Sequence, residues 1–184
     1  MDELFPLIDE SGQVTGSASR SECHNGSKRL HPVIHLHIFN KQGELLLQKR
    51  SQKKDIQPGK WDTSVGGHVD YGETVEEALM RKVREELGIQ AFTPEFLRSY
   101  IFESDIEKEM VYSYKTVYEG PFVFAPEEID EIRFWTMKEI ERNLGHSVFT
   151  PNFEMEVAFF TKEDSVKNNL IDLSIYHLDN IGFN

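Results

Sequence analysis

Cysteine is nearly absent from this chain: Cys23 stands alone among 184 residues. One thiol cannot build a disulfide framework, and its isolation fits a reducing cytoplasm. No stretch approaches the roughly 20 apolar residues that cross a bilayer. The N-terminus, Met1-Asp2-Glu3, has neither the basic nor the apolar region of an export signal. A soluble cytoplasmic protein without a membrane partner is therefore expected. Positive charge is also short, with 20 Lys and Arg against 32 Asp and Glu, a formal net charge of −12. That balance excludes the broad basic surface used to grip nucleic acid. It leaves room for phosphates held in a local basic pocket or by bound metal. Internal repeats, low-complexity tracts and interdomain linkers are missing too, and the length suits a single domain over residues 1–184.

What is present reads as alternating short strands and helices. Leu4 to Ile8 and Val14 to Ala18 flank the turn Asp9-Glu10-Ser11-Gly12, which predicts a hairpin over about residues 1–19. A polar segment, Arg20 to Arg29, leads into a strand from His31 to Phe39, with Leu45-Leu46-Leu47 starting its partner. Trp61 to Val65 reads as one short strand. The spacing of Val75, Leu79, Val83 and Leu87, each four apart, predicts a helix over about Thr74 to Leu87. Strands near Glu95 to Phe102, Met110 to Tyr118 and Ile132 to Thr136 follow, then helices around Met137 to Asn143 and Pro151 to Phe160. The final twenty residues carry no readable motif. A mixed sheet packed between helices, an α/β class, fits this order.

The stretch Gly67 to Ile89, GHVDYGETVEEALMRKVREELGI, narrows the chemistry most. A glycine turn enters a helix dense with carboxylates, where Arg81 precedes the pair Glu85 and Glu86, and Gly88 stops the helix. Carboxylates crowded on one helical face repel one another unless a cation sits among them, and hard oxygen ligands suit Mg²⁺ or Mn²⁺. A solvated acidic helix is the plainer alternative. The order Gly67, Glu73, Arg81, Val83, Glu85, Glu86, Gly88, Ile89 resembles the signature of the Nudix superfamily, and residues 67–89 are its box. The resemblance implies an α/β/α sandwich with a mixed sheet, and a metal-dependent hydrolase. It departs at Lys82, where the signature has a glutamate that often binds metal or serves as general base. As a helix residue, Lys82 shares a face with Glu86, which would make an ordinary surface ion pair.

From Arg20 onward the chain also resembles the type 1 isopentenyl-diphosphate isomerase branch of that superfamily. The matching residues are His24, Leu30-His31, Ile38-Phe39-Asn40 with Gly43, Leu45 to Arg50, Lys54, Pro58-Gly59, Trp61, Ser64 to His68, and Glu107-Lys108-Glu109. By position, that likeness implies one metal held by His24, His31, His68, Glu107 and Glu109. A second, substrate-bridging metal falls on Glu86. It implies a diphosphate gripped by Arg20, Arg50, Lys54 and Lys82, which gives Lys82 a role beyond a lost glutamate. A lone histidine is more often a structural residue than a ligand, and His35 and His37 are read in that way.

The branch places a catalytic cysteine where this chain has Gly66, opposite a glutamate matching Glu109. Glycine cannot transfer a proton, so isomerisation loses one of its two proton-transfer groups. Gly66-Gly67 is instead the hydrolase pattern, with the Gly67 carbonyl as a metal ligand, and Glu85 restores the hydrolase carboxylate pair. The expectation is a hydrolase cleaving a diphosphate linkage in a small molecule, such as a nucleoside diphosphate derivative. Glu85, Glu86 and Gly67 would hold Mg²⁺ or Mn²⁺, Arg81 would position the glutamates, and Glu85, Glu86 or Glu109 would activate water. The loop carboxylates Glu127 and Glu128 read as solvated. Two rivals stand beside this: a true isopentenyl-diphosphate isomerase, and a non-catalytic module that keeps the diphosphate pocket. Dimers are common in the superfamily, so a homodimer is a further expectation of the resemblance.

Overall fold

The computed structural model describes residues 2–124 and 126–168, and the final segment without a readable motif lies largely outside them. The chain divides into two compact units, Met1–Thr150 and Pro151–Asn184. In the second, the described element is a helix, α4, over Pro151–Asn168, longer than the predicted span. Proline at its first position already has the φ a helix needs, and its missing N–H is one that no helix bonds there.

The first unit begins with the predicted hairpin, β1 (Leu4–Ile8) and β2 (Val14–Ser19), paired antiparallel. A single helical turn that the sequence reading missed, α1 (Arg20–Cys23), follows at once. Ser19 and Glu22 close a capping box around it, each side chain bonding the other's backbone N–H. Phe5, Ala18 and Cys23 bury together beneath this hairpin and turn.

The second sheet is mixed. Its central strand, β3 (Leu30–Phe39), runs parallel to β8 (Lys108–Val117), which pairs antiparallel with β7 (Glu95–Glu103). Next to β3 in the other direction lies β4 (Leu45–Arg50), which also pairs β9 (Ile129–Trp135). The predicted strand from Trp61 to Val65 is in fact two: β5 (Trp61–Asp62) on β4 and β6 (Val65–His68) on β3. The break has a physical cause. Ser64 donates to the Leu46 carbonyl at 2.5 Å and accepts from the Ile38 N–H at 2.8 Å, while Thr63 donates to the Leu36 carbonyl at 3.2 Å. These side chains take bonds that a continuous ladder would have made.

Across one face of the sheet lies α2 (Val75–Leu87), the helix of the box. Thr74 and Glu77 form its capping box, and Gly88 ends it at φ 69°, a left-handed conformation that favours glycine. Leu79, Val83 and Leu87 bury against Ile34, Leu36, Ile38, Leu46 and Val65. Each such side chain contributes about 1.5–3 kcal/mol when removed from water. A short helix, α3 (Met137–Asn143), follows β9 with Thr136 as its cap.

Candidate active site

Five predicted ligands gather where three elements and two flanking segments meet. His24 caps the end of α1, His31 is second in β3, and His68 ends β6. Glu107 just precedes β8 and Glu109 lies within it, opposite His31 in the parallel register. His24 Nε2 is 3.1 Å from His68 Nε2 and 3.2 Å from a Glu107 carboxylate oxygen. Glu109 Oε1 lies 3.7 Å from His68 Nε2 and 4.0 Å from His31 Nε2. One ligand atom from each of His24, His31, His68 and Glu109 falls within 4.8 Å of the others.

The chemistry of this donor set suits a divalent cation. His31 Nδ1 sits 2.8 Å from the Arg29 carbonyl, which only accepts, so the ring proton is on Nδ1. That leaves the lone pair on Nε2, an atom buried without a hydrogen-bond partner. Burial holds the His31 pKa below its ordinary value, and it holds His68 well below, with His31 and Arg20 adding to the effect. Both rings are thus kept neutral, the form that binds metal. Burial, with Glu107 beside it, pushes the Glu109 carboxyl up to about 8. A cation among these groups would relieve both strains at once.

The carboxylate end of α2 is arranged differently. Glu86 is half-buried and accepts a hydrogen bond from Gln48 Nε2 at 2.9 Å. Burial raises its carboxyl to about 7, although Gln48, Lys82 and Lys54 all act the other way. Glu85 is exposed and lies 3.4 Å from both Arg81 Nη1 and Lys82 Nζ. Arg81 makes its closest bonds with Glu73, at 2.8 and 2.7 Å, and a third with the His68 carbonyl at 3.2 Å. It therefore ties α2 to the end of β6, and reaches Glu85 only through its far nitrogen. The stem of Lys82 lies across Gly67: a Cβ there would come within 2.6–2.8 Å of three of its carbons. Glycine at 67 thus gives the lysine its path. Gly66 in turn lies beneath His35, whose ring atoms a Cβ would meet at 3.3–3.4 Å.

The four predicted diphosphate cations fall in two groups. Arg50, at the end of β4, donates to Asp62 at 3.1 Å and to the Ile56 carbonyl at 3.1 Å. Lys54, in the following loop, pairs with Glu128, a residue read from sequence as solvated. The Lys54 hydrogen bond, with smaller contributions from Lys82 and Arg50, holds the Glu128 carboxyl below its ordinary range. Arg20 stands apart from these three, bonded to Glu3 at 3.2 Å and to His68 Nδ1 at 3.3 Å.

Two contributors escaped the sequence reading. Gln48 carries Glu86, and its only signal is a polar residue in an otherwise buried strand. Phe5 stacks parallel on the His68 ring at 4.3 Å and near His31 at 5.7 Å. Nothing local in the hairpin marks it, since the contact joins residues more than sixty positions apart.

This arrangement of box helix, mixed sheet and glycine pair defines a protein class. Residues 29–153 match the family model of the NUDIX domain, and the chain belongs to the Nudix family and is a hydrolase of it. Among its relatives, an uncharacterized Nudix hydrolase of Listeria monocytogenes is 34% identical over 164 residues, covering 87% of this chain and 95% of that one. An isopentenyl-diphosphate delta-isomerase of Clavibacter michiganensis is 25% identical over 178 residues, 92% of each chain. The crystal structure of a Deinococcus radiodurans protein superposes with a TM-score of 0.74 at 28% identity, covering 85% of this chain and 98% of that one. Among the described residues, no helix is long and apolar enough to cross a membrane.

Proposed function

We propose that the protein is a metal-dependent hydrolase that cleaves a diphosphate linkage in a small molecule, with Mg²⁺ or Mn²⁺ at the carboxylate end of α2. The observation that carries this reading is the charge arrangement around Glu86: Lys82 and Lys54 both act on its carboxyl, and Arg50 joins them around Glu128. Three cations beside two carboxylates form a place for phosphate oxygens and a divalent cation together. Glu85, Glu86 and the Gly67 carbonyl would hold the cation, whose charge neutralises phosphate oxygens and polarises the phosphorus. Arg50, Lys54 and Lys82 bind the diphosphate and stabilise charge that develops on it. Gln48 fixes the Glu86 carboxylate, and Arg81 fixes α2 against β6. Water is activated by a carboxylate from the set Glu85, Glu86 and Glu109. The His24, His31, His68, Glu107 and Glu109 set would hold a second cation, and its nitrogen-rich composition favours Mn²⁺, Zn²⁺ or Fe²⁺ there.

That second set also favours one other reading, isopentenyl-diphosphate isomerisation, because it keeps the arrangement the likeness implies. Gly66 counts against it by removing a proton-transfer group. A single assay separates the two. The protein is incubated with divalent metals and a panel of nucleoside diphosphates, nucleotide sugars and isoprenoid diphosphates, with Glu86→Gln as control. Metal-dependent release of phosphate or a monophosphate, lost in the variant, is the expected result. Dimethylallyl diphosphate from isopentenyl diphosphate would establish the isomerase, and no release from any substrate would overturn the hydrolase.

A further inference from the structure

All four cations assigned to the diphosphate are already paired with carboxylates: Arg20 with Glu3, Arg50 with Asp62, Lys54 with Glu128 and Lys82 with Glu85. Among these carboxylates, Glu128 is bonded directly to Lys54 and is also influenced by Lys82 and Arg50. Its position is built into the fold. The Ser51 N–H donates to the Glu128 carbonyl at 3.1 Å, and the Gln52 N–H donates to the Asp130 carboxylate at 3.3 Å. The Lys54 N–H bonds the Ser51 carbonyl at 3.1 Å, so the lysine and the glutamate are brought together by the end of the β4–β9 ladder. A carboxylate held on a lysine inside a phosphate pocket has the charge sign and oxygen geometry of the ligand that pocket would take.

We infer that Glu128 is an internal stand-in for a substrate phosphate: it occupies Lys54 in the free protein and is displaced when a diphosphate binds. The inference rests on the diphosphate-pocket reading and adds to it a residue that sets the threshold for entry. A ligand must bring enough charge, and enough contacts beyond Lys54, to outcompete a carboxylate that never diffuses away. A tethered competitor acts at an effective concentration on the order of millimolar. After cleavage, Glu128 returns to Lys54 and helps expel a phosphate product that holds fewer of the cations.

The test is binding, so it does not depend on turnover. Titration calorimetry with methylenediphosphonate and Mn²⁺ is carried out on the wild type, Glu128→Gln, Lys54→Met and the double variant. Circular dichroism and thermal melts of each variant check its fold. Removing an exposed competitor worth up to about 1 kcal/mol tightens binding in Glu128→Gln about two- to fivefold. In the Lys54→Met background the same substitution tightens binding less, because the lysine bonded directly to Glu128 is gone and only the weaker influence on Lys82 and Arg50 remains. Unchanged or weaker binding in a folded Glu128→Gln protein overturns the inference. So does equal tightening in both backgrounds, which would report only the loss of one negative charge. Glu128→Asp, which keeps the charge on a shorter stem, tightens binding less than Glu128→Gln. If the wild type binds the diphosphonate but hydrolyses nothing, the hydrolase reading fails alone; if no protein binds it, both fail.

Discussion

The two candidate metal-binding regions differ in how far the protein alone has assembled them. At the His24, His31, His68 and Glu109 cluster, buried and half-buried donors already face one another, and one lone pair has no hydrogen-bond partner. At the end of α2, the carboxylates are engaged by Gln48, Arg81 and Lys82, and the nearby cations by carboxylates. The first region gathers the donors that one ion would need. The second is charge-balanced without a ligand, and its partners must exchange before anything binds. Under the proposed function, a resident ion would occupy the first and a substrate-borne ion the second.

The largest expected effect breaks the second region and spares the first. Glu86→Gln should lower kcat by about 10²–10³-fold, the size seen when one preorganised electrostatic group is lost. Metal binding at the histidine cluster, followed by Co²⁺ absorption, should be unchanged; a loss there would merge the two regions into one. The converse variant, His31→Gln, should weaken binding of the tight ion by at least the 10–100-fold that outer-sphere partners command. Equal metal affinity in His31→Gln and wild type would show that the cluster holds no ion.

Smaller effects test the frame that separates the regions. Gly88→Ala forces a left-handed φ on alanine and brings its Cβ to 3.0 Å from the Val123 Cβ. It should cost about 1–3 kcal/mol and lower the melting temperature by several degrees, without altering metal stoichiometry. The smallest effect concerns pH. The Arg81 hydrogen bond holds the Glu73 carboxyl below its ordinary range, so the pair stabilises the folded state above the unfolded carboxyl pKa of about 4.3. That contribution is lost as pH falls through the lower folded value. In urea titrations, Glu73→Gln should be less stable than wild type at pH 7, and the gap should close toward pH 3. A gap independent of pH would mean that the Arg81–Glu73 pair contributes by packing alone.

Local chemistry made most elements legible. The four-residue spacing of Val75, Leu79, Val83 and Leu87 and the stop at Gly88 placed α2 almost to the residue. The capping box of α1 was also written as Ser19 and Glu22, but a single turn carries no apolar period to draw attention to it. The break between β5 and β6 was hidden because neither Thr63 nor Ser64 is a strong strand breaker, and only their bonds to other strands interrupt the ladder. In the site, family likeness indicated which residue types to bring together. It did not indicate their partners: Gln48 on Glu86, Phe5 on His68 and Glu128 on Lys54 all join distant segments. Such pairings depend on sheet order, which no local pattern encodes.

The shared family domain begins at residue 29, yet His24, Arg20 and Phe5 all precede it. The histidine cluster is thus finished by an annex to the common domain, one that supplies a candidate ligand, a cation bonded to His68 and an aromatic wall. A fragment cut at the domain boundary would keep the box, the sheet and four of the five ligands. It would lose the closure on which the buried, neutral state of those histidines depends. Exchanging this segment between relatives is therefore expected to alter the histidine cluster while leaving the box intact.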